Sequence, residues 1–82
     1  MAPTITFQPV TMAIAADSEG RLVLVDGRLA GVLVLLDDEA HGEDRGTWFL
    51  EAAFGPFEEH AHKTFPSLDD AARWFGEGGR QA

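Results

Sequence analysis

Residues 21–39 read RLVLVDGRLAGVLVLLDDE and contain the strongest structural signal in the chain. Asp26-Gly27 stands between two runs rich in Val and Leu. A type I′ turn needs positive φ at both central positions, and Asp followed by Gly satisfies that requirement. We therefore predict a β-hairpin whose arms are residues 22–25 and 29–36.

The second arm of this hairpin is apolar at every position except Gly31. Simple alternation places Leu29, Leu33 and Leu35 on one side of the strand and Ala30, Val32, Val34 and Leu36 on the other. A strand with two apolar sides is typical of the centre of a sheet that is covered on both faces. We predict that this strand is central.

Three other segments have the pattern of strands. Residues 4–8, TITFQ, alternate, and Pro9 limits them to the edge of a sheet because proline cannot donate to a ladder. Residues 10–16, VTMAIAA, follow as a second extended run before DSEG, residues 17–20, which predicts a turn. Residues 47–55, TWFLEAAFG, predict another strand, with Trp48, Leu50, Ala52 and Phe54 on one side.

The last part of the chain, SLDDAARWFGEGG at residues 67–79, predicts a helix. Ser67 is an N-cap with Asp70 three residues later, as in an acidic capping box, and Gly76 marks the end. Leu68, Ala71, Ala72 and Phe75 have the spacing of one helical face. The predicted fold is α+β: an antiparallel meander of three to four strands with one C-terminal helix on one face. Residues 1–75 form a single domain and residues 76–82 a flexible tail.

One short helix cannot cover such a sheet. Four strands of about eight residues each give a face of roughly 15–19 Å by 26 Å, whereas a ten-residue helix is about 15 Å long and about 10 Å across. The other face is closed by residues 4–9 and 55–66, by a second copy in a homodimer, or by a different protein. The predicted interface residues lie on the second hairpin arm: Leu29, Ala30, Val32, Leu33, Val34, Leu35 and Leu36.

The histidines suggest an alternative function. In EEHAHK, residues 58–63, His60 and His62 point to the same side if the chain is extended, and His41 in the acidic loop of residues 37–46 is a candidate third ligand. Zinc needs three or four such ligands. The sequence therefore permits a metal or small-ligand site at His41, His60 and His62 as an alternative, but it favours solvated loop residues.

Composition excludes other classes. Six Lys plus Arg against fourteen Asp plus Glu give a net charge of -8, which disfavours nucleic-acid binding. No Cys nucleophile, Gly-x-Ser-x-Gly elbow or phosphate-binding glycine loop is present, and we predict neither catalytic residues nor a cofactor. No secretory signal or membrane-length apolar run opens the chain, so we expect a cytoplasmic protein without membrane contact.

Two resemblances accompany these patterns. The segments at residues 26–29, 46–55 and 65–74 look like a family of small uncharacterised proteins of proteobacteria, a resemblance that implies no activity. Phe65, Ser67, Ala71 and Trp74 are also similar to the arm-type DNA-binding domain of phage-type integrases. That resemblance implies a three-stranded sheet followed by a helix, with basic and aromatic strand residues that contact DNA.

Overall fold

The computed structural model describes residues 2–14 and 17–79 of the 82-residue chain. Five strands form one antiparallel sheet in the order β1-β2-β3-β4-β5, and a single α-helix follows them. The elements are β1 (Ile5–Thr11), β2 (Glu19–Val25), β3 (Arg28–Leu35), β4 (Trp48–Ala53), β5 (Thr64–Phe65) and α1 (Leu68–Gly76). The predicted α+β class and C-terminal helix are confirmed, with one or two strands more than predicted.

The additional strand, β5, lies between Pro56 and Pro66, a segment whose sequence predicts a loop or a short extended piece. It contains only two residues, too few to show alternation, and it pairs with the start of β4. Backbone hydrogen bonds hold the preceding turn against β4: the N–H of Leu50 donates to the carbonyl of Lys63 at 2.8 Å, and that of His62 donates to the carbonyl of Leu50 at 2.7 Å. A 3-10 helix at Gly55–His60 precedes this turn.

The predicted hairpin between β2 and β3 is confirmed. Asp26 and Gly27 have φ values of 52° and 81°, as a type I′ turn requires. Asp26 also fastens the turn to the start of the chain, since its N–H donates to the carbonyl of Thr4 at 2.9 Å and its Oδ1 accepts from the N–H of Thr4 at 2.9 Å. The hairpin turn therefore fixes the register of β1 as well.

The first strand continues through Pro9 instead of stopping before it. Thr4 is hydrogen-bonded to Asp26, and the N–H of Met12 donates to the carbonyl of Ser18. The backbone N–H and carbonyl groups of the even-numbered residues in this segment therefore point toward β2. Pro9 consequently lies among the residues whose backbone faces the open edge, where its missing N–H leaves no ladder bond unmade. Of the predicted run at residues 10–16, Ala15 and Ala16 lie outside the described residues.

Both predicted ends of α1 have a physical basis in the structure. The Oγ of Ser67 accepts from the N–H of Asp70 at 3.1 Å and donates to its Oδ2 at 2.8 Å, which confirms the N-cap. At the other end, the N–H of Gly79 donates to the carbonyl of Trp74 at 3.0 Å. The chain thus stays packed through Gly79, which is buried, and residues 80–82 of the predicted tail lie outside the described residues.

The hydrophobic core lies between α1 and one face of the sheet. Phe75 is fully buried beside Leu33, Leu50 and Val23 of the three central strands. Aromatic rings close the layer above them, with the Phe57 centroid 4.8 Å from Phe75 and the Trp74 centroid 4.9 Å from Phe75. One face of the sheet is therefore covered by a short helix together with the large aromatic side chains that extend its contact area.

Two β-bulges change which side chains face this core. Ala30 is the extra residue in β3, because Val23 pairs with Gly31 and Leu24 pairs with Leu29. Glu51 is the extra residue in β4, because Val32 pairs with Ala52 and Leu33 pairs with Leu50. Each bulge shifts the alternation by one residue.

Because of the bulges, the faces predicted by simple alternation are wrong for part of β3 and of β4. Ala30 and Ala53 belong to the core cluster, whereas simple alternation placed Ala30 with Val32 and Ala53 with Phe49. Leu29, Ala52 and Phe54 accordingly lie on the opposite side of the sheet from α1. Periodicity alone could not show this, because one inserted residue reverses every later side chain.

Candidate interaction surface

The sheet face opposite α1 is apolar across its three central strands. We call this surface the open face. Its side chains are half-buried by one another or exposed to solvent, and Leu29 and Phe54 are 46% and 45% exposed. The open face comprises Leu22, Leu24, Leu29, Val32, Phe49, Ala52 and Phe54.

The chain covers only one end of this side of the sheet. Met12 lies over Gly20, where a Cβ would be only 2.8 Å from the Met12 Sδ. Val34 and Leu36 are buried beneath the loops that flank β2 and β3, at 3% and 9% exposure. Toward the hairpin turn, no element within residues 2–14 and 17–79 packs over the open face.

Neither segment proposed from the sequence as a cover closes the open face, although His62 and Thr64 at the end of the second segment border it. Residues 4–9 belong largely to β1 and extend the sheet in its own plane. The connection after β4 goes to the other side, where Phe57 is 5% exposed and packs in the core against Phe75. The cover at the loop end instead comes from residues 12–14, 17–18 and 37–46.

The predicted interface residues separate into two groups. Leu33 and Ala30 are buried in the core beneath α1, and Leu35 packs against that core, so these three do not face the open side. On the open side, Val34 and Leu36 are covered by the flanking loops, while Val32 is half-buried and Leu29 is exposed. Of the predicted set, Leu29 and Val32 are accessible on the open face.

A cluster around Asp17 holds the two covering loops together. We call it the Asp17 clasp, formed by Asp17, Asp37, Asp38 and His41. Asp17 Oδ1 accepts from the N–H groups of Asp37 and Asp38 at 2.8 and 2.9 Å, and its Oδ2 is hydrogen-bonded to His41 Nε2. The bond from His41, supported by the two backbone donors, lowers the pKa of Asp17 to about 2.

The clasp gives a testable pH dependence. Asp17→Asn keeps an acceptor for the backbone N–H groups and suits the φ of 54° at this position, but it removes the charge. A carboxylate with a lowered pKa stabilises the folded state above its ordinary pKa of 3.8, and that contribution is lost as the pH falls toward 2. We expect the wild type to have a higher urea midpoint than Asp17→Asn at neutral pH. That difference should vanish as the pH falls from 3.8 toward 2.

Asp17→Ala provides the companion measurement, because it also removes both acceptor oxygens. We expect it to be less stable than Asp17→Asn at every pH at which the protein folds. Equal midpoints for the wild type and both variants at neutral pH would show that the clasp does not hold the loops.

A groove of about 500 Å³ lies between the Asp17 clasp and the open face. Phe49, Val34 and Leu36 supply apolar walls, and the His62 ring lies 5.4 Å from the Phe49 ring. The remaining side chains that line the groove are Ile14, Asp17, His41, Asp44, Glu51 and Thr64. An apolar surface that ends in a groove with carboxylates suits a ligand that is apolar along its length and positive at one point.

The two carboxylates nearest the open face are free to meet such a charge. Asp44 and Glu51 are both exposed, and neither forms an ion pair with another described residue. Among the described side chains that line the groove, none is Lys or Arg. The charged rim of the groove is therefore acidic apart from its two histidines.

The structure separates the histidines proposed as metal ligands. His41 is bonded to Asp17, His60 lies with its ring edge-on to Trp74 at 5.2 Å, and His62 packs on Phe49. His62 has a φ of 79°, so the chain turns between His60 and His62 and the extended geometry assumed for them was wrong. Within the described ranges, no group of three or more His, Asp or Glu is arranged to hold a metal ion.

Sequence reasoning missed Leu22, Leu24 and Phe49 as members of the accessible surface, and it missed Asp17 as the clasp. The alternation in residues 22–25 was a usable signal for Leu22 and Leu24, since Val23 and Val25 take the core side. No local signal identifies Asp17, because its partners lie 20 to 24 residues away in the chain.

Comparisons of the chain with protein-family models, with curated proteins and with solved structures gave no match. Among the helices of the described residues, none has the length and apolar character needed to cross a membrane.

Proposed function

We propose that this protein is a non-catalytic interaction module that binds another protein chain on its open face. The observation that carries the proposal is the apolar surface over β2, β3 and β4, which α1 does not reach because it packs on the other side. Monomeric proteins rarely expose a contiguous apolar surface of this kind unless it binds something. The bound chain is either a second copy, giving a homodimer, or a different protein.

The size of the sheet sets the expected strength of binding. Five strands with lengths up to 8 residues give a face of roughly 19 Å by 26 Å, so one partner buries on the order of 500 Å² of it. Specific complexes bury about 800 Å² on each partner. The complex therefore belongs to the smaller, reversible class, unless the partner also contacts the loops at the rim.

The double variant Leu29→Ser/Phe54→Ser tests the proposal. Both side chains are nearly half exposed and line the same shallow groove at the hairpin end, so their loss changes the surface more than the fold. We expect the wild type to associate, measured by sedimentation velocity over micromolar to millimolar concentrations and by capture from a lysate of the source organism. The double variant should lose that association.

A matched control is Glu58→Ser/Arg73→Ser, which alters two exposed residues on the helix side of the molecule. This variant should associate as the wild type does. A wild-type chain that stays monomeric at millimolar concentration and captures nothing that the Leu29→Ser/Phe54→Ser variant fails to capture would contradict the proposal.

A further inference from the structure

We infer that the chain bound on the open face is a basic amphipathic segment of another protein, not a second copy of this one. The inference rests on the proposed function, because it concerns the same surface and adds the chemistry of the partner. It comes from how charge is distributed between the two sides of the sheet. The open face ends in an acidic groove, and none of the described cations lines that groove.

The groove offers a Lys or Arg of the partner both an apolar wall and a counter-charge. Phe49 and Leu36 line it together with the carboxylates of Asp44 and Glu51. Lys and Arg bury their aliphatic stems along apolar surface and keep the charged end at the rim. A basic side chain lying on Phe49 would therefore bring its cation to a carboxylate that has no other ion-pair partner in the described part of the chain.

None of the described cations of this chain lines the acidic groove. Arg21 lies 5.2 Å from the centroid of Trp48, and Lys63 lies 5.6 Å from that of Phe65, both rings of the core face. The other three are placed as follows: Arg28 lines the hairpin-end groove with Leu29 and Phe54; Arg45 donates to the carbonyl of Asp37; and Arg73 is on α1 beside Asp70.

A second copy would bring its own acidic groove and, of its described cations, Arg28 at the hairpin end of the surface. Each copy also carries a net charge of -8, so the approach of two copies is opposed by general repulsion. A partner with apolar side chains for Leu24, Val32 and Ala52 and with basic residues for the groove satisfies both parts of the surface. Complementary charge of this kind gives specificity and speeds association.

The dimensions define a suitable probe. From Leu29 to Leu36, which lines the acidic groove, the open face and the groove together run about 23 Å along the direction of β3, the length of an α-helix of about 15 residues. The probe is a helical peptide of that length with Leu on one side and Lys on the other, titrated into the full chain by calorimetry and by NMR. A second peptide with Glu in place of Lys serves as the charge-reversed control.

We expect the Leu/Lys peptide to bind and to shift the amide resonances of Leu24, Val32 and Phe49, with affinity that falls as salt rises. The Leu/Glu peptide should not bind. A general attraction of a cationic peptide to an acidic protein is excluded by two variants of equal charge, Asp44→Asn/Glu51→Gln and Glu58→Gln/Glu59→Gln. Both pairs are exposed, and the second pair lies on the 3-10 helix Gly55–His60, away from the open face.

The rim variant Asp44→Asn/Glu51→Gln should bind the Leu/Lys peptide about tenfold more weakly, since two exposed ion pairs are lost. The control variant should stay within about twofold of the wild type, because its lost charges are distant and screened. Equal weakening by the two variants would overturn the inference, as would equal binding of the two peptides.

The failure of the inference can be told apart from failure of the proposed function. If the chain associates with itself, and Leu29→Ser/Phe54→Ser abolishes that association while the Leu/Lys peptide causes no shift, the open face binds a second copy and the basic-partner inference is overturned. If neither peptide nor a second copy affects the resonances of the open face, the inference is overturned. The proposed function is overturned as well if the wild type also captures nothing from the lysate that the Leu29→Ser/Phe54→Ser variant fails to capture.

Discussion

Phe75→Ala is expected to unfold the protein at room temperature. Phe75 is fully buried and touches the rings of Phe57 and Trp74, so removing its ring leaves a cavity at the centre of the core. Phe→Ala changes at buried sites cost about 3–5 kcal/mol. A core of this size supplies only roughly 3–5 kcal/mol of net stability. We expect far-UV circular dichroism to show a largely unfolded chain without denaturant.

Phe54→Ala is the matched control, because it removes the same atoms from a side chain that is 45% exposed. We expect it to lower the free energy of unfolding by less than about 1 kcal/mol. Phe75→Leu keeps much of the buried volume and should leave a folded protein whose urea midpoint can be measured. A Phe75→Ala protein with the same midpoint as Phe54→Ala would contradict the described core.

Gly31→Ala is expected to destabilise the protein by about 1–3 kcal/mol, the usual cost of overpacking a filled core. A Cβ at Gly31 would lie 3.0 Å from Leu50 Cδ1 and 3.2 Å from both the Ala52 carbonyl oxygen and Phe75 Cζ. The carbonyl belongs to the paired backbone of β4 and cannot move aside. Urea unfolding of Gly31→Ala and the wild type measures the difference.

Two further variants show whether contact with the Phe75 ring causes the destabilisation by Gly31→Ala. Gly76→Ala adds a methyl group whose nearest neighbour is Ile5 Cγ1 at 3.9 Å, so we expect it to be neutral or stabilising by up to about 1 kcal/mol. In a Phe75→Leu background the end of the ring is absent, and Gly31→Ala should cost less than it does in the wild type. An equal cost in both backgrounds would assign the crowding to Leu50 and the β4 backbone instead.

The parts of the fold that depend on local chemistry were predictable from the sequence. Asp26-Gly27 specifies its turn through the φ values that both residues tolerate, and Ser67 specifies the start of α1 through one side-chain oxygen. The helical stripe that ends at Phe75 faces the core, as its spacing predicted. These features need no information from distant residues.

The candidate site was less predictable because it depends on the register between strands. The predicted alternation was continued through Ala30 and Glu51 as though each strand were regular. Each bulge instead reverses which face of the sheet the side chains on one flank of the bulge occupy. The open face therefore contains Leu29 and Phe54 where Ala30 and Ala53 were expected. The Asp17 clasp and the separation of His60 from His62 arise from contacts and backbone angles that no short sequence pattern encodes.

The outward position of Pro9 has a consequence for how the molecule behaves at high concentration. A bordering strand with an unbroken row of donors can template another strand, and that one a third, until fibrils form. One ring without an N–H, midway along the border, interrupts such growth. The protein can thus expose an apolar sheet face to a partner while Pro9 opposes strand-by-strand polymerisation at the β1 edge.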